Sequence, residues 1–251
     1  MKNLILAKNK LQFDQLKEVE TPNGTDSFQP IPHAHLVERT RKAIGDAGFT
    51  IEHEEHATAR NDLRYFGGFA ITGRDITGDD RKLVVGLRNS NDKSFAASIC
   101  LGTSMMVCEN LCFSSDIKLS RRHTTHIEGD IPRVLSNAVA KATEHWAKFT
   151  ERIEAYKSAE VENVERMVVN LVDAKALPAR DIYKTVEEFR NPRHAEFKGG
   201  SYWTLYNAVT ENLKGGDLTK LPQRTMTAQS IFDGAVGFNR QPSSEAIALA
   251  N

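Results

Sequence analysis

The sequence predicts an α+β fold: an N-terminal helix, an antiparallel β-meander, then a C-terminal run of helices. Two observations carry this. Short β-branched and aromatic runs crowd between residues 49 and 122, separated by turn residues. Apolar residues spaced three and four apart lie before that block and, more strongly, after it. Strands and helices that are segregated rather than alternating indicate α+β rather than α/β.

Residues 1–30 are polar and aperiodic, with a turn signal at Pro22-Asn23-Gly24, and read as an arm outside the core. Residues 34–47 are helical: Leu36, Val37, Thr40, Ile44 and Ala47 share a face, and Gly48 stands where a helix C-terminus favours glycine. Strands follow at 49–59, 65–72, 82–88, 95–101 and 117–121. Thr77-Gly78-Asp79-Asp80 reads as a hairpin loop and Asn89–Lys93 as a turn. Met105–Cys108 continues the apolar pattern after Gly102.

The strongest periodicity runs from Leu135 through Trp146 and Phe149 to Tyr156, predicting one helix over 132–156. Further helices are expected at 161–172, at 181–190, from an N-cap at Ser201 to Leu213, and at 225–233. One domain over 31–238 is expected, strand-rich at 49–122 and helical at 131–233, with a loose tail at 239–251.

The 251 residues are 40% hydrophobic and 26% charged, with 33 Lys and Arg against 33 Asp and Glu. Zero formal charge counts against a broad duplex-DNA surface but leaves room for a local basic patch. Three cysteines, Cys100, Cys108 and Cys112, make a poor disulfide framework and fit a reducing compartment. No apolar run is long enough to span a bilayer. A cytoplasmic protein is the expectation.

No catalytic motif stands out. His33/His35, His53/His56 and His123/His126 are close pairs, but residues three apart on a strand point to opposite faces, so a metal is not expected. Cys108 and Cys112 lie in an apolar run with no flanking base. Phe66-Gly67-Gly68-Phe69 lacks the partners of a phosphate loop; paired glycines there suggest a bulge or a close backbone approach. Asp75, Asp79 and Asp80 cluster in a turn. No catalytic residue and no cofactor are predicted.

The candidate site is basic. Lys118, Arg121, Arg122 and His123 fall together at the end of the strand block, Arg88 ends an earlier strand, and Arg39, Arg41 and Lys42 lie on the first helix. Tyr65, Phe66 and Phe69 supply aromatic rings. A positive groove with aromatic faces is how single-stranded nucleic acid is held. The same residues are also what an ordinary solvated basic face would show.

Several motifs together resemble a known family. These are Arg88-Asn89-Ser90-Asn91-Asp92-Lys93-Ser94, Val107-Cys108-Glu109-Asn110, Arg122-His123-Thr124, and Trp203-Thr204-Leu205-Tyr206-Asn207-Ala208-Val209-Thr210-Glu211. They resemble the phage/plasmid-like protein family, a domain of unknown function, over about residues 30–235. The resemblance implies a mobile-element protein working in the bacterial cytoplasm, and no activity. Asn89, Asp92, Asn110, Asn207, Thr210 and Glu211 are its polar motif residues; Asx-turn chemistry alone explains Asn89 and Asp92. The order helix, antiparallel strands, long helix is loosely similar to the core of single-strand annealing proteins.

The reading is therefore a non-catalytic, nucleic-acid-associated protein that binds or anneals single strands. Arg88, Lys118, Arg121 and Arg122 would neutralise the backbone, with stacking on Tyr65 or Phe66. One alternative is a protein-binding inhibitor or regulator of a host defence system; another is a metal-dependent enzyme. A homo-oligomer is expected, because a long antiparallel block has edges to cover.

Overall fold

The computed structural model describes residues 4–73, 76, 81–105, 111–214, 216, 217 and 220–238, with the backbone alone at 105 and 111–118. The Thr77–Asp80 loop, Met106–Cys108, Asn110, the Asp75/Asp79/Asp80 cluster and the 239–251 tail lie outside the described residues. The chain forms two compact units, Met1–Ala147 with Lys214–Pro222, and Lys148–Leu213 with Gln223–Asn251.

The first unit is built on a six-stranded antiparallel sheet in simple chain order: β1 (Lys10–Leu11), β2 (Thr50–Ala59), β3 (Arg64–Thr72), β4 (Arg81–Ser90), β5 (Ala97–Met105) and β6 (Leu111–Arg121). The expected meander is present. Alternate residues Tyr65, Phe69, Ile71, Leu83, Val85, Leu87, Ile99 and Leu101 point to one face and form a single core. Leu36, Val37 and Ile44 of α2 (His33–Asp46) and Ile127, Ile131, Leu135 and Val139 of α3 (Ile127–Ala140) cover them. Burying each such side chain contributes about 1.5–3 kcal/mol. Gly48 ends α2 with φ +81, a left-handed conformation that glycine adopts without steric cost.

The N-terminal segment is no free arm. Lys10 and Leu11 pair with Ala57 and His56, and the short helix α1 (Phe13–Lys17) places Leu16 in the core at 1% exposure. The two glycines of β3 are explained face by face. A Cβ at Gly67 would land on the Tyr65 hydroxyl oxygen. On the opposite face a Cβ at Gly68 would come 2.9 Å from Cδ2 of Leu4, itself 2% exposed. Both mark close approaches, as the sequence suggested.

The long helix expected at 132–156 is two helices, α3 and α4 (Ala142–Ser158), broken at Lys141. Helix α3 begins five residues before its Pro132. A proline has no N–H, so the Glu128 carbonyl loses its helical donor. The Arg39 guanidinium supplies the missing hydrogen bond at 2.5 Å.

The second unit is helical: the later part of α4, then α5 (Val164–Asp173), α6 (Ile182–Arg190), α7 (Tyr202–Leu213) and most of α8 (Leu221–Val236). Helix α8 is longer than the 225–233 expected. Ser201 caps α7 as predicted, its hydroxyl accepting from the Thr204 N–H at 3.3 Å. Helix α7 is buried on every side from Trp203 to Thr210, and Tyr206 packs on Tyr156, Trp203 and Phe232. Inside lies an ion pair: Arg152 Nε donates to Asp233 Oδ1 at 2.8 Å, and Tyr156 Oη donates to the same oxygen at 2.7 Å. Arg152 and Asp233 are each 1% exposed.

Candidate functional site

The polar motif residues of the first unit converge at one end of the sheet, where β2 turns into β3, β4 into β5, and β6 ends. Asn89 is the hub. Its side-chain NH2 donates to the Ile31 carbonyl and to His33 Nδ1, each at 2.9 Å. Its carbonyl oxygen accepts from His123 Nε2 at 2.7 Å. His33 Nε2 in turn donates to the Asp62 carbonyl at 2.8 Å. An amide NH2 can only donate, so His33 Nδ1 must accept, which makes His33 a neutral Nε2–H imidazole and places a hydrogen at Nε2 of His123. Burial lowers the His33 pKa, despite the opposing pull of Asp62. Burial, with a smaller contribution from His33, lowers that of His123 to about 4.

Tyr65 is stacked on His33, with ring centroids 5.4 Å apart, and lies 5.9 Å from the ring of His56. A second chain runs from it. His56 Nδ1 bonds Tyr65 Oη at 2.9 Å, and His56 Nε2 donates to Glu54 Oε1 at 3.1 Å. Arg41 clamps the same carboxylate through Nε, at 3.0 Å, and its terminal nitrogen. Burial acts to raise the Glu54 pKa, but hydrogen bonds from His56 and Arg41 outweigh it and hold the carboxyl at about 2. A groove of about 650 Å³ opens beside this chain, lined by Lys10, Phe13, Arg41, His53, Glu54 and Glu55 among others. Its charges are matched internally: Lys10 pairs with Glu55 and Arg41 with Glu54.

The three histidine pairs of the sequence are thus split. One member of each, His33, His56 and His123, joins the buried chains, while His35 and His126 are exposed. Among the described residues no group of three His, Cys, Asp or Glu could hold a metal ion.

The predicted site residues divide in the same way. Tyr65 is fully buried and Phe66 is 7% exposed, so neither ring can receive a base; this corrects the stacking roles given to them. Phe66 packs on Phe95, with ring centroids 5.9 Å apart. The half-buried rings at this end are Phe95 and Phe28, which composition alone did not single out. Arg88 lies 4.8 Å over Phe95, and Arg64 lies 5.9 Å from that ring. Arg64 is held by Asp92 at 2.7 Å. Lys93, in a left-handed conformation with φ +62, reaches over Phe28 at 5.1 Å, and Phe28 packs on His123 at 5.2 Å.

Arg121 pairs with Asp130, and Arg39, Arg41 and Lys42 are engaged by Glu128, Glu54 and Asp46. Arg122 is exposed. The Lys118 backbone pairs with Cys100, and its side chain lies outside the described residues, as does Asn110. In the second unit Asn207 is 3% exposed and donates to the Trp203 carbonyl; Thr210 donates to the Asn207 carbonyl. Glu211 accepts from Arg193 at 2.9 Å.

The loops are tied to each other. Asn91 N–H donates to the Leu63 carbonyl at 2.8 Å, and the Asn91 side chain holds the Ile31 backbone. Three consecutive left-handed residues, Arg60, Asn61 and Asp62, form the β2–β3 turn. The Asp62 carboxylate is taken up by Thr58 and Asn9. The Asp92 carboxylate takes hydrogen bonds from Ser90, Ser94 and Arg64, which outweigh burial and hold its pKa below the usual range. The Asp62 and Asp92 carboxylates are spent internally, while Arg60, Lys93 and Arg122 remain exposed on three different segments.

With this frame in view the family can be stated. The sequence profile described as Domain of unknown function (DUF932) matches residues 24–233, and the chain belongs to that family. The match begins in the segment that supplies Phe28, Ile31 and His33 to the sheet end. No curated protein and no solved structure matches the chain. No helix among the described residues is long and apolar enough to cross a membrane.

Proposed function

We propose that the chain binds single-stranded nucleic acid along the rim of this sheet end, as a non-catalytic protein of a phage or plasmid acting in the bacterial cytoplasm. One observation carries the reading. Arg60, Lys93 and Arg122 are exposed around half-buried Phe28 and Phe95, while Asp62 and Asp92 beside them are occupied by internal hydrogen bonds. A locally positive rim with aromatic edges, on a chain of zero formal charge, suits a narrow strand better than a broad duplex. The element order, a helix, an antiparallel meander and long helices, is loosely similar to the core of single-strand annealing proteins, which favours the same partner.

The phosphate contacts fall to Arg60, Lys93 and Arg122. Arg88 and Arg64 sit inward, stacked on Phe95, and serve to hold that ring at the rim. Fluorescence anisotropy of nucleic-acid-free protein with labelled single-stranded and duplex DNA, across a salt series, tests the reading. Tighter binding to the single strand, weakening linearly with the logarithm of salt concentration, is expected. Absence of binding at low salt removes the proposal and favours a protein partner, to be sought by capture from host lysate.

A further inference from the structure

We propose that residues 25–33 form a proton-sensitive latch, released from the sheet end when His33 acquires a proton at Nδ1. The inference stands apart from the nucleic-acid reading and is tested without nucleic acid.

The latch is held by bonds to the asparagine–histidine chain and to Asn91, whose side-chain oxygen accepts from the Ile31 N–H at 3.3 Å. Gln29 N–H donates to the His123 carbonyl at 3.0 Å. The Ile31 carbonyl takes Asn89 Nδ2 and Asn91 Nδ2, at 2.9 and 3.1 Å. The Phe28 ring rests on the His123 ring. One Asn89 hydrogen points at Ile31, the other at His33 Nδ1. A proton on His33 Nδ1 would set donor against donor across 2.9 Å. Asn89 could relieve this only by turning its amide over. That would withdraw the NH2 from the Ile31 carbonyl and present it to the Nε2–H of His123. A proton added to His123 is different, because its Nε2–H keeps its bond to Asn89 and the new hydrogen sits at Nδ1. His33 is therefore the trigger.

The groups facing His33 are Asp62 from the β2–β3 turn, Tyr65 from β3, Asn89 from β4 and His123 after β6. Asp62 favours the charged imidazole; burial and a charged His123 oppose it. Lys93, over Phe28, adds a positive charge on the His123 side. Net opposition to the charged imidazole keeps the latch shut at neutral pH.

The test joins two readouts on the intact chain. Nitrogen-15 imidazole correlation spectra report the tautomers, and amide hydrogen exchange, corrected for its intrinsic pH dependence, reports residues 25–31. At pH 7.5 His33 and His123 should both be Nε2–H. Exchange at 25–31 should rise at least tenfold over the pH step in which His33 charges, while β3 and β4 stay protected. In His33→Gln that step should vanish, whether the latch is then held or lost at every pH. An Nδ1–H tautomer at His33, exchange that ignores its titration, or an unchanged step in His33→Gln would each overturn the proposal.

Discussion

Each unit buries a polar cluster, and the two are made of different chemistry. The helical unit buries formal charge: Arg152 against Asp233, with Tyr156 donating to the same carboxylate. The sheet end buries neutral groups, Asn89 between His33 and His123, whose bonds depend on which nitrogen carries a hydrogen. A guanidinium stays charged at any pH a protein meets, and burial pushes the Tyr156 hydroxyl far above its usual range. The first cluster is therefore blind to pH near neutrality. The second is conditional on it, and it lies under the exposed loops. The lesson is that the fixed charges hold the helices together, while the titratable network governs the surface.

The comparison can be broken at its strongest point first. Asp233→Ala removes the buried carboxylate that Arg152 and Tyr156 share, and should cost about 3–5 kcal/mol in chemical denaturation. Asn89→Leu leaves His33 Nδ1 and His123 Nε2 without their shared partner, while the Ile31 carbonyl keeps Asn91. It should cost about 2–4 kcal/mol, since each unmet buried group costs about 1–3 kcal/mol and some recover water at the rim.

Acid sharpens the contrast. His33 and His123 have lowered folded pKa values, so the unfolded chain binds more protons below about 6.5. The stability they give is complete above that pH and is lost as pH falls toward about 4. Glu54, held at about 2, adds a second loss below the ordinary carboxylate range near 4. Urea midpoints should fall between pH 7 and 5 in the wild type, and less steeply in His123→Gln. The smallest expected effect separates the two faces of β3. Gly67→Ala displaces the Tyr65 hydroxyl and should cost about 2 kcal/mol or more. Gly68→Ala meets the ends of the Leu4 and Ile5 side chains and should cost about 1 kcal/mol.

The architecture was legible because periodicity reports burial. Alternation in β3 and β4 and the three-four spacing of Leu36, Val37 and Ile44 survive in the folded core. The helix break at Lys141 was not legible, because apolar spacing continues across it and the helix N-terminal to it absorbs Pro132 with help from Arg39, distant in sequence. The N-terminal segment looked like an arm because its contributions, Leu4, Ile5 and Leu16, are few and without a period. Tyr65 looked like a stacking platform because a strand sequence does not say which face is buried. The histidine network was not legible for a related reason: spacing along the chain says little about which imidazoles meet in space. What the motifs did carry was location, since Asn89, Asp92, Arg122 and His123 do gather at one end of the sheet.

The most direct test of the central claim is the single-strand affinity of Lys93→Glu combined with Arg122→Glu. Both side chains are exposed, so the denaturation midpoint should match the wild type. Affinity should fall at least tenfold, and the slope of log K against log salt should become shallower by about 1.4, for two lost phosphate contacts at about 0.7 each. Unchanged affinity and slope in a folded double variant would contradict the account and take nucleic acid away from this rim.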